Sequence, residues 1–258
     1  MTPAGEPARR RPWTGPAESF AMLSIARVPA AESARGVLPW APLVGLVLGT
    51  VAGAVAWAAA RYAGPLVGAV LGVGVLAALT RGLHLDGLAD TADGLGPLRG
   101  RERALEVMRA GDVGPFGVVT LVLTLLLQVA CLAELLSVHG GWLVLPVAAV
   151  AARVAMARTG LPGTAIAAGS SLGQAVAGTV PRAWLIGSAV VPLGLGAVGA
   201  MLADLDARLL AAVVLGWLAA EALYRRARAR LGGVNGDVMG AMGEVTTAVT
   251  LLTAAVLG

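Results

Sequence analysis

The sequence predicts an all-α polytopic membrane protein with about seven transmembrane helices and a cytoplasmic N-terminus. Three observations carry this reading. Hydrophobic residues make up 57% and charged residues 13% of the 258 residues, and mean hydropathy is +0.81, more apolar surface than one soluble core could hide. The apolar stretches are rich in Ala, Val, Leu and Gly and lack the short alternating segments of an outer-membrane barrel, so the spans are helices. All 19 basic residues are arginine, and they fall mostly on one side of a seven-span topology.

In chain order, residues 1–16 are rich in Pro, Arg and Gly and read as a disordered tail, with 17–258 forming a single integral membrane domain. No apolar stretch of a cleavable signal follows the tail. Residues 20–29 are too short to span and suit the membrane interface. The expected spans are 37–60, 64–80, 113–138, 141–157, 183–203, 207–224 and 238–257. With the N-terminus inside, the cytoplasmic side receives Arg9, Arg10, Arg11, Arg27 and Arg35, the loop 81–112, Arg158 and Arg182, and Arg225 to Arg230. The outer side receives Arg61 and Arg208, so the excess of positive charge places the C-terminus outside. A basic balance of this origin reflects topology and anionic headgroups and gives no reason to invoke nucleic acid. Cys131 is the single cysteine, which excludes an intrachain disulfide.

The chemistry concentrates at 84–94, His-Leu-Asp-Gly-Leu-Ala-Asp-Thr-Ala-Asp-Gly, directly after an apolar run. At 100° per residue a helix places Asp90 about 40° and Asp93 about 20° from Asp86, so the three acids share one narrow face. Crowded carboxylates raise one another's pKa values, and a hard divalent cation such as Mg²⁺ is the simplest partner for them. The alternative is a solvated face with capping aspartates. His84 stands about 160° from Asp86 on that helix, which sets it at the margin of the cluster as a structural residue, a phosphate contact or a general base. The next segment, 101–109, has helical spacing with Glu102, Glu106 and Arg109 on one side; its arginines suit phosphate oxygens. Asp112 precedes the third span and reads first as its cap.

A second constellation occupies 231–244. Asp237 and Glu244 lie about 20° apart on a helix, with Gly240 on the same stripe. Glu244 falls within the last span, where an ionisable residue points to function; the plainer readings are a helix cap for Asp237 and a buried pair with an arginine for Glu244. Arg153, within the fourth span, either reaches a substrate phosphate or snorkels.

The run Gly82 to Gly94, followed by Arg101 to Arg109 and Gly114-Pro-Phe-Gly117, resembles the cobalamin synthase family, the adenosylcobinamide-GDP ribazoletransferases. Gly232 to Gly240 with Glu244 looks like the family's second signature, and the likeness in hydropathy runs from about residue 20 to the end. Segment 163–173 departs from the family pattern in lacking the Arg and Glu often found before its Gly-Leu-Gly. The resemblance implies a Mg²⁺-dependent transferase of the last cobalamin nucleotide-loop step. α-Ribazole, or its 5′-phosphate, is joined to adenosylcobinamide-GDP, giving adenosylcobalamin or its 5′-phosphate and GMP. It further implies that Asp86, Asp90, Asp93 and Asp237 hold Mg²⁺, that Arg103, Arg109, Asn235, Asp237 and Glu244 bind substrate, and that His84 or one of the acids takes the hydroxyl proton. The implied setting is the cell membrane with the site facing the cytoplasm, and a homo-oligomer is compatible with it. A prenyltransferase-like enzyme acting on a diphosphate is the nearest rival, and a cation- or proton-coupled transporter the rival from another class.

Overall fold

The computed structural model describes residues 12–28, 33–202 and 208–257, and its regular structure there is helical apart from one isolated bridge between Ile166 and Val234. All seven apolar segments are helical: α2 (Val37–Ala63), α3 (Pro65–Leu79), α6 (Pro115–Leu136), α7 (Val144–Ala157), α9 (Arg182–Leu202), α10 (Arg208–Leu231) and α11 (Gly236–Leu257). Shorter helices fill the connections: α1 (Thr14–Leu23), α4 (Leu83–Leu95), α5 (Arg101–Arg109) and α8 (Ser171–Val176). Five segments are long and apolar enough to cross a membrane alone, Val37–Ala63, Pro115–Leu136, Gly141–Gly160, Arg182–Gly199 and Gly236–Leu257. A sixth arises if α3 and α4 count as one broken span. The difference from the expected seven has two causes. α3 has 15 residues, and α10 carries Glu221, Arg225, Arg226, Arg228 and Arg230 in its second half.

The first helix begins at Thr14, inside the segment expected to be a tail; residues 1–11 lie outside the described residues. α1 is anchored by Glu18, whose buried carboxylate accepts the Gly36 N–H just before α2 and the Ser33 hydroxyl at 2.9 Å.

α7 is the centre of the bundle. Its sequence is apolar nearly all round, and each of its 14 residues is buried. α2 reaches it through a stripe of glycines four residues apart. A Cβ at Gly45 would stand 2.6 Å from the Ala149 carbonyl oxygen, one at Gly49 2.7 Å from the Ala149 Cβ, and one at Gly53 3.0 Å from Pro146. Helices in lipid gain little from hydrophobic exclusion, so backbone approach of this kind is what holds them. The outward faces carry Val118, Val119, Val122, Leu123 and Leu126 on α6 and Ile186 and Val190 on α9, exposed apolar side chains suited to acyl chains.

The connections that the charge pattern assigns to one side do gather at one end. Arg226 donates to the Leu95 carbonyl at 3.3 Å and Arg230 to those of Pro97 and Arg99 at 3.2 Å. Arg81 donates to the Met22 carbonyl at 2.8 Å, and Arg109 to that of Ala168. The stretch 81–112 is therefore two helices roofed over by the C-terminal turns of α10 and the loop after α7.

The α2–α7 contact is testable by overpacking. Gly45→Val meets backbone atoms that cannot swing away, whereas a Cβ at Gly74 of α3 meets nothing within 4 Å. In detergent, Gly45→Val is expected to lose about 1–3 kcal/mol or more of stability and lower the thermal midpoint, with Gly74→Val close to the parent. Equal midpoints for the two variants would refute this packing.

Candidate active site

The site is built by the abrupt end of α3. The Gly82 N–H bonds to the Ala77 carbonyl and the Arg81 N–H to that of Ala78, the pair of bonds that closes a helix on a left-handed residue. That residue is Arg81, at φ 58°, and Gly82 follows at φ 67°. The chain leaves the turn as α4, rotated 89° from α3. With 13 residues running across the direction of α3, α4 is too short to cross a membrane alone.

The three aspartates follow the predicted stripe, but the stripe climbs about 10 Å along the helix, and each acid meets different surroundings. Asp86 is exposed and lines a cavity of about 290 Å³. Asp90 is 9% exposed and feels Asp237, Asp86 and Asp93. Burial first, and then repulsion by those three carboxylates, pushes its carboxyl up to about 7. Asp93 is buried, and its Oδ2 accepts the Gly114 N–H at 2.7 Å at the start of α6. An anion there meets the positive end of the α6 dipole. The glycines of Gly114-Pro-Phe-Gly117 make the room: a Cβ at either position would collide with the Asp93 carboxylate. Asp93 thus does what was expected of Asp112, which is exposed and makes no cap bond to α6.

The second signature converges on the first. A Cβ at Gly87 would stand 2.7 Å from the Asp237 carbonyl oxygen, and one at Gly240 3.1 Å from the His84 Cα, so α4 and α11 cross at backbone contact. Asn235 opens α11: its Oδ1 accepts the Val238 N–H at 3.0 Å, and its Nδ2 donates to Asp237 Oδ2 at 2.7 Å. Asn235, and not Asp237, is the N-cap, which leaves Asp237 in the first turn facing the cavity beside Asp86.

His84 also lines the cavity, although it stands about 160° from Asp86, because the cavity wraps the first turn of α4. It is buried, and burial together with the charge of Arg153 holds its imidazole well below the ordinary value. Arg109 lines the cavity. Arg103 does not; it is exposed on α5 and paired with Glu106 at 2.9 Å. Glu244 lies deeper in α11, accepts from Gln128 Nε2 at 2.9 Å and borders a separate small cavity with Arg153. Among the described residues, no three His, Cys, Asp or Glu side chains are disposed to enclose a metal ion.

The wall opposite the acids was missed by sequence reasoning. Ala168 to Leu172 line the cavity through the segment that lacks the family's Arg and Glu. Its contribution is backbone: the Ala168 carbonyl accepts from Arg109, and residues 165–167 pair with Val234 by two hydrogen bonds of 3.0 Å. The signal was Gly169-Ser170 before a short helix, a left-handed glycine at φ 75° and a serine whose Oγ caps the Gly173 N–H. Leu23, Val37, Leu38, Leu105 and Met156 complete an apolar floor.

Comparison with known proteins adds the lineage. Adenosylcobinamide-GDP ribazoletransferases align over most of their length. That of Frankia casuarinae is 41% identical over 230 residues, covering 82% of each chain. That of Bradyrhizobium diazoefficiens is 36% identical, covering 88% of this chain and 86% of its own. That of Brevibacillus brevis is 34% identical, covering 87% and 89%. No solved structure matches. The profile of the family described as cobalamin-5-phosphate synthase matches residues 17–255, and the chain belongs to that family.

Proposed function

We propose that this membrane enzyme joins α-ribazole, or its 5′-phosphate, to adenosylcobinamide-GDP, releasing GMP in the last assembly step of the cobalamin nucleotide loop. The observation that supports this most is the meeting of Asp86 and Asp237, one from each signature, on a cavity that also holds Arg109. Phosphoryl-type transfer needs mainly positioning and charge neutralisation, and acids, an arginine and a cap-oriented carboxylate at one cavity suit that task.

The donor set fits Mg²⁺. The hard oxygens of Asp86 and Asp237 face the cavity, and Asp90, raised to about 7 by burial first and then by Asp237, Asp86 and Asp93, marks a crowding of carboxylates that a cation would relieve. Mg²⁺ commonly takes one or two carboxylates and completes its shell with water and substrate phosphates, so a closed protein cage is not required. Bound there, it would polarise the attacked phosphorus and neutralise the diphosphate. Asn235 holds Asp237 in place, and Asp90 lends its charge from behind. Asp93 fixes α4 to the start of α6. Arg109, on the cavity wall, neutralises phosphate oxygens. Glu244 supports the site from below through α11. The apolar floor takes the aromatic base of the acceptor, while a corrinoid is too large for about 290 Å³ and stays at the mouth. The arginine-rich end faces the cytoplasm of the cell membrane, as the charge rule requires.

Purified protein in liposomes with adenosylcobinamide-GDP, α-ribazole and Mg²⁺ is expected to release GMP and form adenosylcobalamin; no product would sink the proposal. Asp86→Asn and Asp237→Asn should each lower kcat/KM by about 100-fold or more, and chelation by EDTA should abolish turnover. Turnover that survives EDTA would remove the metal and leave the transferase.

Asp90 gives a pH test. Its folded value of about 7 exceeds its ordinary 3.8, so the folded protein holds this proton more tightly than the unfolded chain does. The resulting stabilisation is complete below the ordinary value and is lost as pH rises through about 7. In EDTA, the thermal midpoint should therefore be higher at pH 5.5 than at pH 8, and Asp90→Asn should flatten the difference. An unchanged pH slope in Asp90→Asn would refute the assignment.

A further inference from the structure

Arg153 is the most deeply placed charge whose role the proposed reaction leaves open. It sits on α7, the helix buried on every side, and is 2% exposed. Removing a guanidinium from water is costly unless its surroundings answer it. Glu244 of α11 borders the same small cavity as Arg153 and is held by Gln128 of α6 at 2.9 Å. On the other side, Arg153 Nη2 stands 3.5 Å from His84 Nδ1. That contact joins α7 to α4 at a histidine that lines the cavity, while Arg153 Nε has no hydrogen-bond partner among the described residues. His84 is 1% exposed, and its Nε2 has no hydrogen-bond partner among the described residues.

A guanidinium has donors only. The ring nitrogen that faces it must accept, so Nδ1 carries the lone pair and the proton of the neutral ring lies on Nε2. We propose that Arg153 is a positioning residue that fixes His84 as the Nε2–H tautomer, so that His84 donates a hydrogen bond to a substrate phosphate oxygen and is not the general base. The inference rests on the transferase reading of the site and deepens it. With its one lone pair engaged by Arg153, His84 neither gains nor loses a proton in the reaction. The proton of the attacking hydroxyl then goes to a carboxylate beside the cavity, while the oxygen forms its bond to phosphorus and GMP departs with the electron pair of the bond that breaks.

The chain has two histidines, His84 and the exposed His139, so His139→Gln leaves a single imidazole to observe. In ¹⁵N-histidine-labelled His139→Gln protein in detergent, without substrate, the expected spectrum has a protonated Nε2 and an unprotonated Nδ1. A protonated Nδ1 overturns the proposal. Arg153→Lys keeps a donor and should keep the tautomer, whereas Arg153→Met should give a mixture of both. A pure Nε2–H spectrum in Arg153→Met would show that Arg153 does not fix the ring. In turnover, His84→Gln presents an amide N–H near the place of Nε2 and should keep activity within about tenfold with an unshifted pH profile, since a donor is worth a few kcal/mol at most. A loss beyond 1,000-fold in folded His84→Gln protein would assign the base to His84 and defeat the proposal. The tautomer is read in the absence of substrate, so an inactive preparation tests the transferase reading and leaves the tautomer result standing.

Discussion

Everything at the site depends on how closely α4 and α11 cross. Gly87 lies against the backbone of Asp237, and Gly240 against that of His84, so each helix offers the other a surface without a side chain. The acidic motif is placed at the second signature by this contact, across about 150 residues of sequence. With any larger residue at Gly87, the Asp237 backbone would have to retreat, and the carboxylates that share the cavity would separate. The glycines beside the acids therefore serve helix packing first, and the packing is what turns two acidic segments into one site.

The crossing creates a problem of like charge that the fold answers unevenly. Asp93 is answered within the protein, by the Gly114 N–H and the positive end of α6. Asp237 is partly answered by the Asn235 amide. Asp90 is buried among three other carboxylates, and burial first, then their repulsion, raises its value. Two of those carboxylates, Asp86 and Asp237, line the cavity. The open carboxylates thus lie at the cavity proposed to take the diphosphate and its cation.

Much of this was legible in the sequence. Composition and arginine asymmetry sufficed for the helical class and for which connections share an end, because both effects act residue by residue. The period of 3.6 placed Asp86, Asp90 and Asp93 on one stripe, and they are on one stripe. What periodicity could not give was the neighbour of each acid, which depends on α6 and α11 arriving from elsewhere in the chain. The cap at α6 was sought in Asp112 because caps are normally local, whereas Asp93 supplies it from another helix. The cavity wall at 168–172 was missed because its main contacts are made by backbone, and backbone carbonyls leave no mark in residue identity. His84 was judged by its angle from Asp86, a rule that holds for flat partners and fails for a cavity that wraps a helix turn.

The position of Arg153 connects the buried centre of the bundle to the cavity. α7 could have been an unbroken apolar rod, as its other positions nearly are, and the bundle would pack as well or better, since a buried ion pair seldom adds stability over well-packed hydrophobic residues. At that depth the guanidinium meets His84 of α4 at 3.5 Å and borders a small cavity that Gln128 of α6 and Glu244 of α11 also line. That contact has a direction as well as a distance, and it ties α4, which carries Asp86, to α7. The glycine crossing brings α4 and α11 together, so that two carboxylates on different helices face one cavity.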